Sequence, residues 1–356
     1  MALDIFYTHH LIAAYKLVTP PTTFLRDRYF PTNPATDMFA SEDVLIEYKD
    51  GNRKVAPFVS PRKGGITIHR DGSYMVRYTP PFVAPRRTLT IDEIKRRGFG
   101  EALLSTVTPA QREQLMVMQD MEDLDQLITR REEVMAAEIL TTNKCIVKEY
   151  ADDLKTVVDE NEIKFYEGTD NPATYVPTVK WGEEGANIIE DIDAMRKILT
   201  KKGYPATEML VAPDVADIIL NDEKIQKLLD IRNYNIGSIA PMELPNGVTR
   251  ICVLNVKGAD VTILSYAETY ENEEGVDTPY IPAGTVVVTA PAVGRTMYGA
   301  ITQMEQQDNL FHTYTGKRIP KYIADPKGNT REITLSSAPL LVPNKRNSFI
   351  SAKVTA

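Results

Sequence analysis

The chain has 356 residues, 43% of them hydrophobic and 25% charged, with a net charge of −8 and two cysteines. This length and apolar content bury a real core, on the order of two domains, and exclude a disordered polymer; two cysteines exclude a disulfide framework and leave reduced thiols as the default. The negative sum argues against wholesale wrapping of nucleic acid, whose phosphates need a basic face, but it hides a split: residues 49–97 carry twelve Lys or Arg against four Asp or Glu, and residues 101–193 carry eight against 22.

Residues 1–48 open with an apolar, helix-compatible piece around Leu11–Leu17 and continue through Pro20-Pro21, Pro31 and Pro34. Repeated proline blocks both helix and ladder bonding, so the segment is expected to run extended over other structure as an arm. Its start has no basic flank and no signal core, and no run of the chain approaches the roughly 18 apolar residues of a membrane span. Neither a membrane nor an export signal is expected. Next, Ile66–Ile68 and Met75–Tyr78 alternate around Asp71-Gly72, a dipeptide that tolerates the positive φ of a tight turn, and predict a hairpin. Pro57, Pro61, Pro80, Pro81 and Pro85 fence it on both sides. A lone hairpin is marginal in water, so this thin, basic ribbon is expected to lie on another copy of the chain.

Thr108-Pro109 opens the longest helical pattern, with threonine placed to cap and proline in the first turn. Val117, Met121, Leu124, Ile128, Met135 and Ile139 keep one apolar stripe on one face. A helix from 109 to about 141 would be on the order of 48 Å long, a spine. Its other face carries Glu113, Asp120, Glu122, Asp123, Asp125, Glu132 and Glu133, and is expected to be solvated or to meet something basic. Residues 146–180 read as strands and polar turns. Asn187–Lys202 is an amphipathic helix stopped at Gly203, Met209–Ala212 a short buried strand, and Pro213-Asp214 starts a helix whose apolar face is Val215, Ile218, Ile219, Ile225, Leu228 and Leu229. Strands follow at 248–256, 260–266 and 284–290. This alternation over 187–300 predicts a compact mixed α/β domain, and the tail returns to strand character in Ile333–Leu335 and Phe349–Val354.

Val59-Ser60-Pro61, the run Tyr78–Pro85 at the end of the ribbon, Met118–Met121 in the helix, Ser337–Leu341 and Phe349–Ser351 stand in an order and spacing that resembles the major capsid protein of lambda-type tailed phages, the phage capsid protein E family with the Hong Kong 97 shell fold. The resemblance implies an α+β, Hong Kong 97-type chain. Its parts would be an N-terminal arm (1–48), an extended β-hairpin loop (49–97), a spine helix with the peripheral domain (98–184), a mixed α/β axial domain (185–315) and a C-terminal return to the peripheral domain (316–356). It implies a structural protein and no enzyme, self-assembling through hexamers and pentamers into an icosahedral head. That head would enclose double-stranded DNA without sequence-specific binding, assemble in the host cytoplasm and mature by expansion of a precursor shell. Scaffolding, portal and decoration proteins would be its further partners. Two alternatives stay open: a nanocompartment shell enclosing a cargo enzyme, and a soluble α/β enzyme built on 187–300.

The candidate subunit-interface residues are Phe58, Tyr78 and Phe82, aromatics on a segment too thin to bury them, with Arg86 and Arg87 as docking cations and Glu122, Asp123 and Asp125 as their acidic socket. Nucleic-acid contact is the other reading of Arg86-Arg87 and Lys95-Arg96-Arg97, but no stacking aromatic or groove-entering helix accompanies them. No phosphate loop, nucleophile elbow or zinc-helix motif occurs, so no catalytic residue, cofactor or metal is assigned. His9 and His10 have no cysteine or carboxylate at ligand spacing, His69 reads as a surface residue, and Asp191 and Asp193 read as a solvated helix face beside Glu190. Cys145 and Cys252 sit in apolar contexts and are expected to be inert. Trp181 fits a core or an interface equally, and Glu268–Asp277 reads as an exposed acidic loop.

Overall fold

The structure is a computed structural model that describes residues 23–49, 73–95, 108–150, 156–166, 171–231, 243–244 and 247–355. Leu11–Leu17, Ile66–Ile68 with its turn, Phe58, Arg96-Arg97, His9, His10 and His69 lie outside the described residues. The spine helix runs Pro109–Thr142. Thr108 caps it as its sequence predicts: Thr108 Oγ1 accepts the Gln111 N–H at 3.4 Å, and Gln111 Oε1 accepts the Thr108 N–H at 3.0 Å, which satisfies two otherwise orphaned donors. At the other end Asn143 takes a left-handed conformation with φ 58° and its Nδ2 donates to the Phe165 carbonyl at 2.7 Å.

The two halves of the spine serve different cores. Val117, Met121, Leu124 and Ile128 pack on Ile333 and Leu335, which belong to a three-stranded sheet in the order Ile319–Asp325, Thr330–Ser336, Arg86–Thr90. Val134, Met135, Ala136, Ala137, Ile139 and Leu140 instead enter the main core. That core surrounds a seven-stranded mixed sheet in the order Ala173–Tyr175, Ile350–Lys353, Thr285–Thr289, Glu208–Val211, Ala259–Tyr266, Val248–Val256, Glu243–Leu244. Every residue of Glu208–Val211 and Thr285–Thr289 is buried, the pattern of strands covered on both faces. Ile192, Met195 and Leu199 of the helix Ile188–Lys202 and Val215 and Ile219 of the helix Pro213–Asn221 join the same core.

Two expectations change. The apolar face read as one helix from Pro213 to Leu229 is two, Pro213–Asn221 and Glu223–Ile231. Asp222 between them is extended, and its Oδ1 accepts the N–H groups of Lys224 and Ile225 at 2.9 Å, so it caps the second helix rather than continuing the first. The strand Ser73–Tyr78 forms and pairs with Val44–Lys49, with Ile46 opposite Val76; its expected pairing with Ile66–Ile68 lies outside the described residues. Val44 and Ile46 point inward while Leu45 and Glu47 point out, a period-two signal inside the proline-rich arm. The arm is not wholly extended: Leu25–Tyr29 is helical, and Phe24, Leu25, Tyr29 and Phe30 are buried. In the tail, Thr330–Ser336 packs on the spine, Pro339–Pro343 pairs with Gly294–Tyr298, and Ile350–Lys353 enters the seven-stranded sheet.

Candidate functional site

The junction of arm, spine and tail is held by buried charge. The first N–H groups of the arm helix, as at any helix start, have no acceptor within it. Glu133 supplies the acceptor: its carboxylate takes the N–H groups of Phe24 at 3.1 Å, Leu25 at 2.7 Å and Arg26 at 3.0 Å, and the Tyr266 hydroxyl at 3.0 Å. One turn of the spine's surface thus anchors a segment more than 100 positions upstream. Beside it, Glu132 receives Arg26 Nη1 at 2.6 Å, Arg318 Nη1 at 2.7 Å and the Tyr298 hydroxyl at 3.2 Å. Arg318 also donates from Nε to Asp125 at 2.7 Å and from Nη2 to Thr129 at 3.1 Å.

Burial would raise the Glu132 carboxyl, but the charge and hydrogen bonds of Arg318, then of Arg26, bring it below its ordinary value. Burial raises Glu133, against the opposing hydrogen bonds of the Arg26 and Leu25 N–H groups and Tyr266. Asp125, Glu132 and Glu133 were expected on a face that is solvated or meets something basic, and for Asp125 and Glu132 it is the second. All three are buried, because cations and donors from distant segments meet them there.

The sequence-predicted interface residues fall in different environments. Phe58 lies outside the described residues. Tyr78 is half-buried, with its ring 5.3 Å from that of Phe165, whereas Phe82 is 64% exposed. Between the ribbon base and the antiparallel pair Lys144–Tyr150 and Val157–Lys164 lies a groove of about 790 Å³ lined in part by Val76, Tyr78, Pro81, Phe82 and Ile163. Arg86 is exposed, with Glu332 at 3.8 Å. Arg87 is engaged by its own chain, reaching Asp120 at 2.8 Å and Asp123 at 2.7 Å on the spine. The strand Arg86–Thr90 is fixed beside the spine by Thr330–Ser336, so part of the basic stretch meets its acidic complement within one subunit. Glu122 is exposed, and Asp125 is withdrawn into the Arg318 network.

Other candidates resolve as structural groups. Asp191 is not a solvated carboxylate: it accepts Trp181 Nε1 at 2.7 Å and the Tyr175 hydroxyl at 2.5 Å. Trp181 is buried in the main core. Asp193 is buried against Arg196 at 2.9 Å, Lys197 at 2.6 Å and Lys257 at 2.9 Å. Burial pushes the Cys145 thiol up to about 12 and the Cys252 thiol up to about 11, so both stay protonated and unreactive near neutral pH. Glu268–Asp277 forms most of a small hairpin, Thr269–Glu271 with Asp277–Pro279, and Glu273 pairs with Arg131. Among the described residues no group of three or more His, Cys, Asp or Glu is arranged to hold a metal ion, and no helix is long and apolar enough to cross a membrane.

Comparison with known proteins agrees with this architecture. The major capsid protein of Escherichia phage lambda is 24% identical over 321 residues, spanning 89% of this chain and 90% of that protein. The major capsid protein of Enterobacteria phage P21 is 25% identical over 328 residues, with the same coverage of each chain. The crystal structure of a protein assigned as a prophage capsid protein of E. coli CFT073 superposes with a TM-score of 0.64 at 18% identity, covering 98% of this chain and 99% of that one. The fold is therefore that of phage capsid proteins, the Hong Kong 97 type. The family model for phage major capsid protein E matches residues 8–354, and the chain belongs to that family.

Proposed function

We propose that this chain is the repeating unit of a closed icosahedral phage head, joining copies of itself in rings of six and five around double-stranded DNA. The observation that carries the reading is the family match over residues 8–354. The ribbon base supports it: its outer face leaves Leu45 and Met75 exposed, and Phe82, beyond the end of the strand Ser73–Tyr78, is exposed as well. A two-stranded ribbon buries one face on its own subunit and leaves the other for a neighbour. Head-to-tail contacts of this kind close into rings. The extended loop, residues 49–97, would then lie over the spine-bearing side of the adjoining subunit, with Phe58, Phe82 and Arg86 as contact residues. Assembly would take place in the host cytoplasm, with scaffolding, portal and decoration proteins as further partners. The role is structural and needs no cofactor.

Electron microscopy of the purified full-length protein tests the reading. Closed shells with five- and sixfold vertices are expected. A monomer that persists at high concentration would overturn it, and shells filled with a cargo protein in place of DNA would favour a nanocompartment.

A further inference from the structure

The C-terminal end of the helix Ile188–Lys202 and the turn at 344–348 place like charges side by side. Lys202, Lys345 and Arg346 are all exposed. Arg346 lies close enough to Lys202 to disfavour its charged form, adding to the effect of burial, and Lys345 Nζ sits 5.7 Å from the centre of the Tyr204 ring. Among the described residues none of these three cations forms an ion pair with a carboxylate. The helix C-terminus favours a nearby cation and so accounts for Lys202 alone; it does not account for the two brought up from the turn.

The turn is built rigidly. Asn344 N–H donates to the Val293 carbonyl at 2.9 Å and its Nδ2 to the Ala292 carbonyl at 3.3 Å. The buried Asn347 N–H donates to Asn171 Oδ1 at 2.6 Å, and Ser348 Oγ donates to the Lys345 carbonyl at 3.2 Å. Arg295 reaches Asn344 Oδ1 at 3.1 Å, and the acid beside it, Asp37, is already neutralised by Arg295 itself at 3.7 Å. A molecule with a net charge of −8 therefore holds in a fixed position a basic patch with no carboxylate partner among the described residues.

We infer that Lys202, Lys345 and Arg346 form a phosphate-backbone contact for double-stranded nucleic acid. A protein partner would need an apolar centre to the interface, and none of the large hydrophobic side chains in 195–206, 291–296 or 343–348 is exposed. Phosphates need only cations, and contacts of this type carry no sequence information. One patch is weak, but many copies in a shell multiply it through effective concentration. The identity of the polyanion as packaged DNA rests on the shell reading; the patch itself does not.

Binding of a 30-base-pair duplex of random sequence to the full-length protein, followed by fluorescence anisotropy across a salt series, tests the inference. The triple variant Lys202→Gln, Lys345→Gln, Arg346→Gln should lower the slope of log affinity against log salt by about 2.7, at about 0.9 per phosphate contact, and Arg346→Gln alone by about 0.9. The charge-matched control Lys144→Gln, Lys148→Gln, Lys227→Gln should leave the slope unchanged, with circular dichroism verifying the fold of every variant. An unchanged slope in the triple variant, or an equal fall in the control, overturns the inference. So does loss of assembly with DNA binding intact, which would make the patch a protein contact. Protein that forms no shells yet shows the expected slopes would refute the shell reading and leave the patch standing.

Discussion

Glu132 and Glu133 are neighbours on the spine helix and both are buried, yet their charges meet opposite surroundings. Glu132 faces two guanidinium groups, so its folded pKa lies below the ordinary 4.5. Its contribution to stability is complete above pH 4.5 and is lost as pH falls through the depressed value. Glu133 meets backbone donors and a hydroxyl but is dominated by burial, and its folded pKa lies above 4.5; its contribution is complete below pH 4.5 and declines as pH rises through the raised value. Urea midpoints between about pH 3 and 7 should therefore show Glu132→Gln flattening the acid-side loss of stability, and Glu133→Gln flattening the loss on the other side. Parallel pH profiles for the two variants would contradict the assignment. Glu132→Ala, which strands Arg318 and Arg26, should cost about 3–5 kcal/mol. None of this was legible in the sequence, where both residues sit in an acidic run. Arg318, which decides the fate of Glu132, is 186 positions away.

At the scale of elements, local chemistry carried most of the information. Thr108-Pro109 and the apolar stripe specify the spine because its start and its packing face are written in adjacent turns. Its end depends on Asn143, which needs both a left-handed backbone and a tertiary hydrogen bond. Asn143→Ala should lose both and cost more than Asn143→Gly, which keeps the backbone conformation and loses only the bond, by roughly 1–2 kcal/mol. Equal thermal midpoints for the two variants would show that the backbone conformation is not what selects asparagine. Ladder partners were less legible than strands: Met75–Tyr78 alternates plainly, but nothing local points to Val44–Lys49 as its neighbour. The basic clusters separate in the same way. Arg87→Glu should destabilise the isolated subunit by about 1 kcal/mol, since it loses exposed pairs with Asp120 and Asp123. Arg86→Glu loses an exposed pair with Glu332 at 3.8 Å and should cost the isolated subunit no more than about 1 kcal/mol; an assembly defect beyond that small loss is the signature of docking. Normal particles from this variant would remove Arg86 from the interface.

Across the whole molecule, one core ties arm, spine and tail together while the ribbon base presents an uncovered apolar face. Phe24 and Phe30 from the arm, Met135, Ile139 and Leu140 from the spine and Phe349, Ile350 and Val354 from the tail belong to the same cluster, so the subunit is expected to move as one body up to the ribbon. Gly294 serves this closure, since a Cβ there would collide with the Phe30 ring. Leu45, Met75 and Phe82 are 52%, 63% and 64% exposed, and at such positions a substitution changes subunit stability by within about 0.5 kcal/mol. Burying them against a second copy would contribute about 25 cal/mol for each Å² removed from water, repeated at every contact in a closed ring. The triple variant Leu45→Lys, Met75→Lys, Phe82→Lys should therefore keep the thermal midpoint of the subunit and lose assembly. Sedimentation velocity would read this as a shift from particles to subunits. Because the apolar contribution is insensitive to salt while rim ion pairs are screened, raising salt should not rescue the variant, and wild-type particles should survive the same salt. Particles that fall apart in salt as readily as they do on mutation would instead place the holding force in the charges of the extended loop.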